Sequence, residues 1–220
     1  MDAPVLVMAT RSVGKIRELR QILADLELSL LGLDDFPGLP EITEEGSTFG
    51  ANAETKAREV VRLTGLPALA DDSGLEVAAL KGRPGVHSAR YAQDLTFPAA
   101  PGDANNWGKL LKEMREIPWE QRQARFVCEM ALALPDGRLF RARGECPGRI
   151  SLKPLGTQGF GYDPVFWVEE YGATMAQLGL LVKNRISHRA RALTAMRRIL
   201  AGLREDLARF SKSRDVAQPG

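Results

Sequence analysis

The chain has 220 residues, 44% hydrophobic and 26% charged, which suits one domain or two small lobes sharing a core and excludes a disordered segment. Lys and Arg total 30 against 28 acids, a net charge of +2; this excludes a protein that coats polyanions but allows a local basic pocket. No apolar run reaches the length of a membrane span and the opening MDAPVLVMATRS lacks a signal peptide's order, so a cytoplasmic protein is expected, with neither membrane nor nucleic-acid partner.

Residues 4–9 form a short apolar run, the pattern of a buried strand. It stops at Thr10-Arg11-Ser12-Val13-Gly14, after which Ile16, Leu19, Ile22, Leu23 and Leu26 recur at helical spacing. Strand, polar turn and helix in that order predict an α/β unit. A loop follows at 36–40, then a helix from Phe49 through Val61, with Ser47 or Thr48 as its cap. Residues 65–67 turn the chain into a short buried strand at 68–70, which runs into Asp71-Asp72-Ser73-Gly74. A loop is expected over 96–106 and a helix over 107–114. Residues 126–134 alternate as a strand does, Pro135-Asp136-Gly137 supplies a turn, and 139–143 return, so a hairpin is expected. Cys128 on that strand and Cys146 beyond it are too few for a disulfide framework and lack metal-binding spacing; both should be reduced. Residues 156–164 are a glycine-rich loop. A last helix starts near Ser187 and carries Leu193, Met196, Leu200, Leu203 and Leu207 on one stripe. The apolar pattern ends at Ser211, so a single domain over 1–210 and a flexible tail over 211–220 are expected.

Several segments carry chemistry beyond packing. Thr10 to Lys15, between strand and helix, offers backbone N–H groups and a helix dipole to a phosphate, or is an ordinary βα turn. A Walker A loop is excluded, since Ala9 and Ile16 occupy positions that need Gly and Ser or Thr. Glu44 and Glu45 precede a helix, and Asp71 and Asp72 follow a strand. Adjacent carboxylates at a strand end raise each other's pKa, and Mg²⁺, which takes one or two carboxylates with phosphates and waters, would relieve the repulsion. The alternative is an Asp-rich turn capped by Ser73. Phe49, Asn52, Ala53 and Lys56 share the inward stripe of their helix, so Lys56 either snorkels or serves an anion, while Glu54 and Arg58 make a solvated pair. His188 and Arg189 fall in the first turn of a helix capped by Ser187, where cations oppose the dipole at a cost of ~0.3–1 kcal/mol that ligand oxygens would offset. His87 reads as a loop histidine. In Gly159-Phe160-Gly161-Tyr162-Asp163 the aromatics are either core residues or a lid whose Phe160 or Tyr162 stacks on a planar base.

The ordered set resembles the inosine/xanthosine triphosphate pyrophosphatase family, which hydrolyses non-standard purine nucleoside triphosphates. The resemblance runs from about Val5 to Leu193. It rests on Gly14-Lys15-Ile16-Arg17-Glu18-Leu19, Thr48-Phe49, Asn52-Ala53 with Lys56-Ala57, and Ala70-Asp71-Asp72-Ser73-Gly74-Leu75. Pro84-Gly85-Val86, Ser88-Ala89-Arg90-Tyr91, Gly159-Phe160-Gly161-Tyr162-Asp163-Pro164 and Ser187-His188-Arg189-Ala190 continue it.

The resemblance implies a mixed α/β fold, a β-sheet with flanking helices in two lobes around a central cleft, and a homodimer. It implies that Thr10, Arg11, Ser12, Val13, Gly14 and Lys15 form the triphosphate loop, that Glu44 and Asp72 bind Mg²⁺, and that Asp72 is the general base beside Asp71. Ser73 would touch substrate, and Lys56 and Lys183 would be substrate-binding lysines. Phe160, Gly161, Tyr162 and Asp163 would form the base-binding loop, with His188 and Arg189 recognising the base. The chain departs from the family pattern at Arg11 (commonly Gly), Ser12 (commonly Asn) and Ala51 (commonly Glu), which shortens one hydrogen-bonding side chain and removes one carboxylate. Two alternatives stand beside this reading: a Maf-type pyrophosphatase acting on modified or pyrimidine nucleotides, and a non-catalytic nucleotide- or RNA-binding module. The His188–Arg189 and Phe160–Asp163 segments argue against the first, and the retained acid pair against the second.

Overall fold

The computed structural model describes residues 3–11, 13–93 and 103–215. Among them the strands form a seven-stranded mixed sheet in the order β2-β1-β3-β4-β5-β6-β7, flanked by helices as expected. The chain divides into two compact units, 1–72 with 129–143 and 192–220, and 73–128 with 144–191. No described helix is long and apolar enough to cross a membrane.

In the first unit, β1 (Val5–Met8) leads into α1 (Val13–Ile22) and pairs in parallel with β2 (Ser29–Leu31) and with the start of β3 (Ala68–Val77). Helix α2 (Phe49–Thr64) begins where Thr48 Oγ1 accepts from Ala51 N at 3.1 Å, the expected cap. Its inward face carries Ala53 and Ala57, in one cluster with Ala68 and Ala70 of β3 and with Ala131 and Ala133 of β4 (Gln123–Ala133). Small residues on helix and strands alike let the backbones approach closely, which is how polar side chains of α2 reach the acids of β3.

Strand β4 turns through 135–137 into β5 (Leu139–Ile150), its neighbour in the sheet, so the expected hairpin is present and both strands are longer than their apolar runs. The expected short strand at 68–70 is different: β3 continues through both acids to Val77. The single C-terminal helix is also different. It is α5 (His188–Gly202), a break at Leu203, and α6 (Arg204–Asp215), whose Ser211 Oγ accepts from Val5 N at 2.7 Å. Residues 211–215, expected in the tail, are therefore helical; the remainder of the tail lies outside the described residues.

The second unit has α3 (Ala104–Glu113), the antiparallel strands β6 (Phe166–Val168) and β7 (Ala173–Thr174), and α4 (Leu180–Ile186). β6 pairs antiparallel with β5 through Arg149–Trp167 and Ile150–Phe166. Its core uses larger residues: Leu75, Leu110, Met114, Phe126, Ile150 and Phe166, with the Phe126 and Phe166 rings 4.3 Å apart. Arg122 is 1% exposed and donates to the carbonyls of Met114, Ile117, Ile150 and Ser151. Most of the loop expected over 96–106 lies outside the described residues.

Candidate active site

The acids of β3 are built into regular structure. Asp71 is 8% exposed, and both of its carboxylate oxygens lie 2.9 Å from Nζ of Lys15, on the first turn of α1. Asp72, half-buried, accepts from Asn52 Nδ2 of α2 at 2.8 Å. The expectation of a strand-end acid pair is thus corrected to a mid-strand pair. Successive strand residues point to opposite faces, so the two carboxylates diverge to different partners rather than repelling at close quarters.

Lys56 does not snorkel. It is 8% exposed, and its Nζ lies 2.5 Å from the carbonyl oxygen of Asp71 and 3.1 Å from Oε1 of Glu44. An ammonium on the apolar stripe of α2 is tolerable because both contacts replace water around it. Glu44 is so brought into the cluster, while Glu45 is exposed. The cluster brings together the ammonium groups of Lys15 and Lys56 with the carboxylates of Asp71, Asp72 and Glu44.

The turn before α1 is more varied. The carbonyl of Thr10 accepts from Leu33 N at 3.2 Å, and Arg11 reaches outward to Asp34 at 3.0 Å with both side chains exposed. Val13 and Gly14 open α1; Ser12 lies outside the described residues. Ser73 continues β3 beyond the acids and is half-buried.

In the second unit, residues 159–163 are organised around Asp163, which is 3% exposed and accepts from Phe160 N at 2.9 Å and from Nζ of Lys183. Gly159 has φ +86°, and a Cβ there would overlap the Asp163 carboxylate, so only glycine closes this turn. The sequence left open whether the aromatics are core or lid; the structure divides them. Tyr162 is 4% exposed, its hydroxyl donates to Ser88 O at 2.8 Å, and burial pushes its phenol pKa far up. Phe160 is 58% exposed, with Nζ of Lys183 4.2 Å from its ring centre and the Arg189 guanidinium 5.7 Å away. Gly161 N donates to the Asp103 carboxylate.

Ser187 caps α5, its Oγ accepting from Ala190 N at 3.2 Å, and so fixes His188 and Arg189 in the first turn. Both are buried, and His188 stacks on Phe126 at 4.9 Å with the planes 17° apart. His87 is exposed in a short turn and joins neither group. Sequence reasoning placed Asn52 on the inward stripe but gave it no task. A buried amide on that stripe, four residues before a buried lysine, was the available signal.

A model of the Ham1 family matches residues 6–199. The chain belongs to the Ham1 family. It is 52% identical over 192 residues to the dITP/XTP pyrophosphatase of Geobacter sulfurreducens, covering 87% of this chain and 94% of that protein. The dITP/XTP pyrophosphatase of Geobacillus kaustophilus is 48% identical over 191 residues, covering 87% and 91%. Among solved structures, a HAM1 protein from Coxiella burnetii superimposes with a TM-score of 0.82 at 40% identity, covering 90% of this chain and 98% of that one. The family resemblance drawn from the ordered motifs is borne out. As a Ham1 protein, the chain has its β3 acids, its Phe160 loop and its Ser187-His188-Arg189 cap within the matched region.

Proposed function

We propose that this Ham1 protein hydrolyses non-standard purine nucleoside triphosphates (ITP, dITP and XTP) to the nucleoside monophosphate and pyrophosphate, with residues 1–210 as one catalytic domain. The names of its relatives support the substrate class. The observation that carries the reading is the Asp72 carboxylate, held on β3 by Asn52, beside a carboxylate already paired with a lysine of the first βα unit.

In this reading Asp72 accepts a proton from the attacking water, while Lys15 and Lys56 place positive charge where the departing pyrophosphate needs it. Lys15 would exchange part of its hold on Asp71 for phosphate oxygens. Thr10, Arg11, Ser12, Val13 and Gly14 would present the phosphate-facing turn, and Ser73 would touch substrate. Phe160 would stack on the base; Gly161, Tyr162, Asp163 and Lys183 would shape and hold its loop. His188 and Arg189, both able to donate, would bond the C6 carbonyl that keto purines carry and adenine lacks.

The donor set tests well against a divalent cation. Among the described residues no group of three His, Cys, Asp or Glu is gathered to hold a metal by protein alone. Mg²⁺ needs only one or two carboxylates when phosphates and waters complete its shell, and Glu44 and Asp72 offer hard carboxylate oxygens of that kind. Glu44 and Asp72 would hold it, and when bound it would supply charge neutralisation on the phosphates. The reading also takes the protein as a cytoplasmic homodimer. A panel of ITP, dITP, XTP, GTP and ATP with Mg²⁺, read as released pyrophosphate, tests it; diphosphate and orthophosphate as products, or no turnover of any keto purine, would overturn it.

A further inference from the structure

We propose that Asn52 is a positioning residue: it fixes the rotation of the Asp72 carboxylate and ties the Glu44 loop to the same point, an inference that rests on the reading of Asp72 as the base. The side chain is 2% exposed, so its two polar atoms are costly unless both are bonded. Oδ1 accepts from Gly46 N at 2.8 Å, and Nδ2 donates to Asp72 Oδ2 at 2.8 Å.

The two bonds determine each other. Turning the amide over would set an NH₂ against an N–H at Gly46 and an oxygen against a carboxylate at Asp72, losing both. The loop is also held close: a Cβ on Gly46 would lie 2.6 Å from Asn52 Oδ1 and 3.0 Å from Ala51 Cβ. Glu44 is two residues away in the chain, and its Oε1 meets Lys56, one helical turn beyond Asn52. Neighbouring positions on one face of α2 therefore hold the acid of the loop and the acid of the strand. A base aimed at a water molecule loses rate through small errors of angle. Loss of this contact is expected to lower kcat by ~10–100-fold while KM for ITP stays within about threefold.

Asn52→Asp is the deciding variant. It keeps the size and the acceptor for Gly46 but turns the atom facing Asp72 from donor to acceptor. Wild type is first shown to release pyrophosphate from ITP; if it does not, the functional reading fails. If wild type is active and Asn52→Asp keeps kcat within twofold, only the positioning role fails. A rise in KM at constant kcat also overturns it. Asn52→Leu should lose kcat similarly, and if it does not fold, Asn52→Asp still decides. Adding Asn52→Asp to Asp72→Asn should cost no further kcat, and a second full loss would count against the proposal. Independently of turnover, the Asn52 side-chain amide protons should be protected from exchange in the nucleotide-free protein and shift in Asp72→Asn; unchanged resonances would rule out the contact.

Discussion

Asp71 and Asp72 sit within a strand and are held by side chains of helices: Lys15 from α1, and Asn52 and Lys56 from α2, the last on the Asp71 carbonyl. Around Phe160 the arrangement is reversed. A turn closed by a glycine at positive φ leaves its aromatic ring 58% exposed, and the charge that holds the turn, Asp163, lies beneath it. In the proposed reaction the first region would hold groups where a proton must pass, and so would tolerate little displacement. In the same proposal the second would offer a flat ring to a planar base and leave discrimination to the buried His188 and Arg189.

If this contrast is right, perturbations should separate by kinetic constant. The largest effect is expected for Asp72→Asn, which should keep the fold and lower kcat by roughly 10²–10⁴-fold with little change in KM. Near-normal turnover would remove Asp72 as the base. Next, Arg189→Ala should cut kcat/KM for ITP on the order of 10–100-fold while changing the slow ATP reaction much less. An unchanged ITP-to-ATP ratio would leave Arg189 a structural role only.

A smaller effect is expected for Phe160→Ala. Loss of one stacking contact, about 1–3 kcal/mol, should appear mostly in KM and leave the melting temperature near wild type, since the ring is exposed. A kcat defect larger than the KM defect would blur the contrast. Tyr162→Phe should do the converse: the Ser88 carbonyl loses its partner, costing about 1–3 kcal/mol of stability in denaturant titrations, with kinetics close to wild type. The smallest signal concerns Cys146, whose thiol burial pushes up; it should resist iodoacetamide near pH 8 in the native protein and react once unfolded.

Much of this was legible in the amino-acid order. The run at 4–9, Thr48 before α2, and the 135–137 turn each appear where expected. The helix after the first run ends at Ile22, short of the Leu26 that its spacing reached, with 24–26 a separate 3₁₀ turn. β3 did not show its full length, because Asp-Asp-Ser-Gly is poor strand material and its partners Lys15, Asn52 and Lys56 come from elsewhere in the chain. The break at Leu203 was hidden for the opposite reason: the leucine stripe runs through it without a change of period. Within the site, residue types pointed to Asp72 and Phe160. That Phe160 rather than Tyr162 faces outward depends on Ser88, 74 residues earlier in the chain. Arg11, expected in the phosphate-facing turn, pairs with Asp34, a contact between exposed side chains that the sequence alone did not show.

Arg122 has a consequence of another kind. Its hydrogen bonds run to carbonyls at 114, 117, 150 and 151, and its own carbonyl accepts from Ile150 N at 2.9 Å. One planar fork thus fastens the end of α3 and the start of β4 to the end of β5, about thirty residues further on, where a lysine could satisfy only some of the acceptors. Segments joined through a single buried node cannot fray one at a time. In hydrogen exchange of the native protein, the amides around Met114, Gln123 and Ile150 should therefore open together, with one shared free energy, rather than in a graded series from the nearest surface inward.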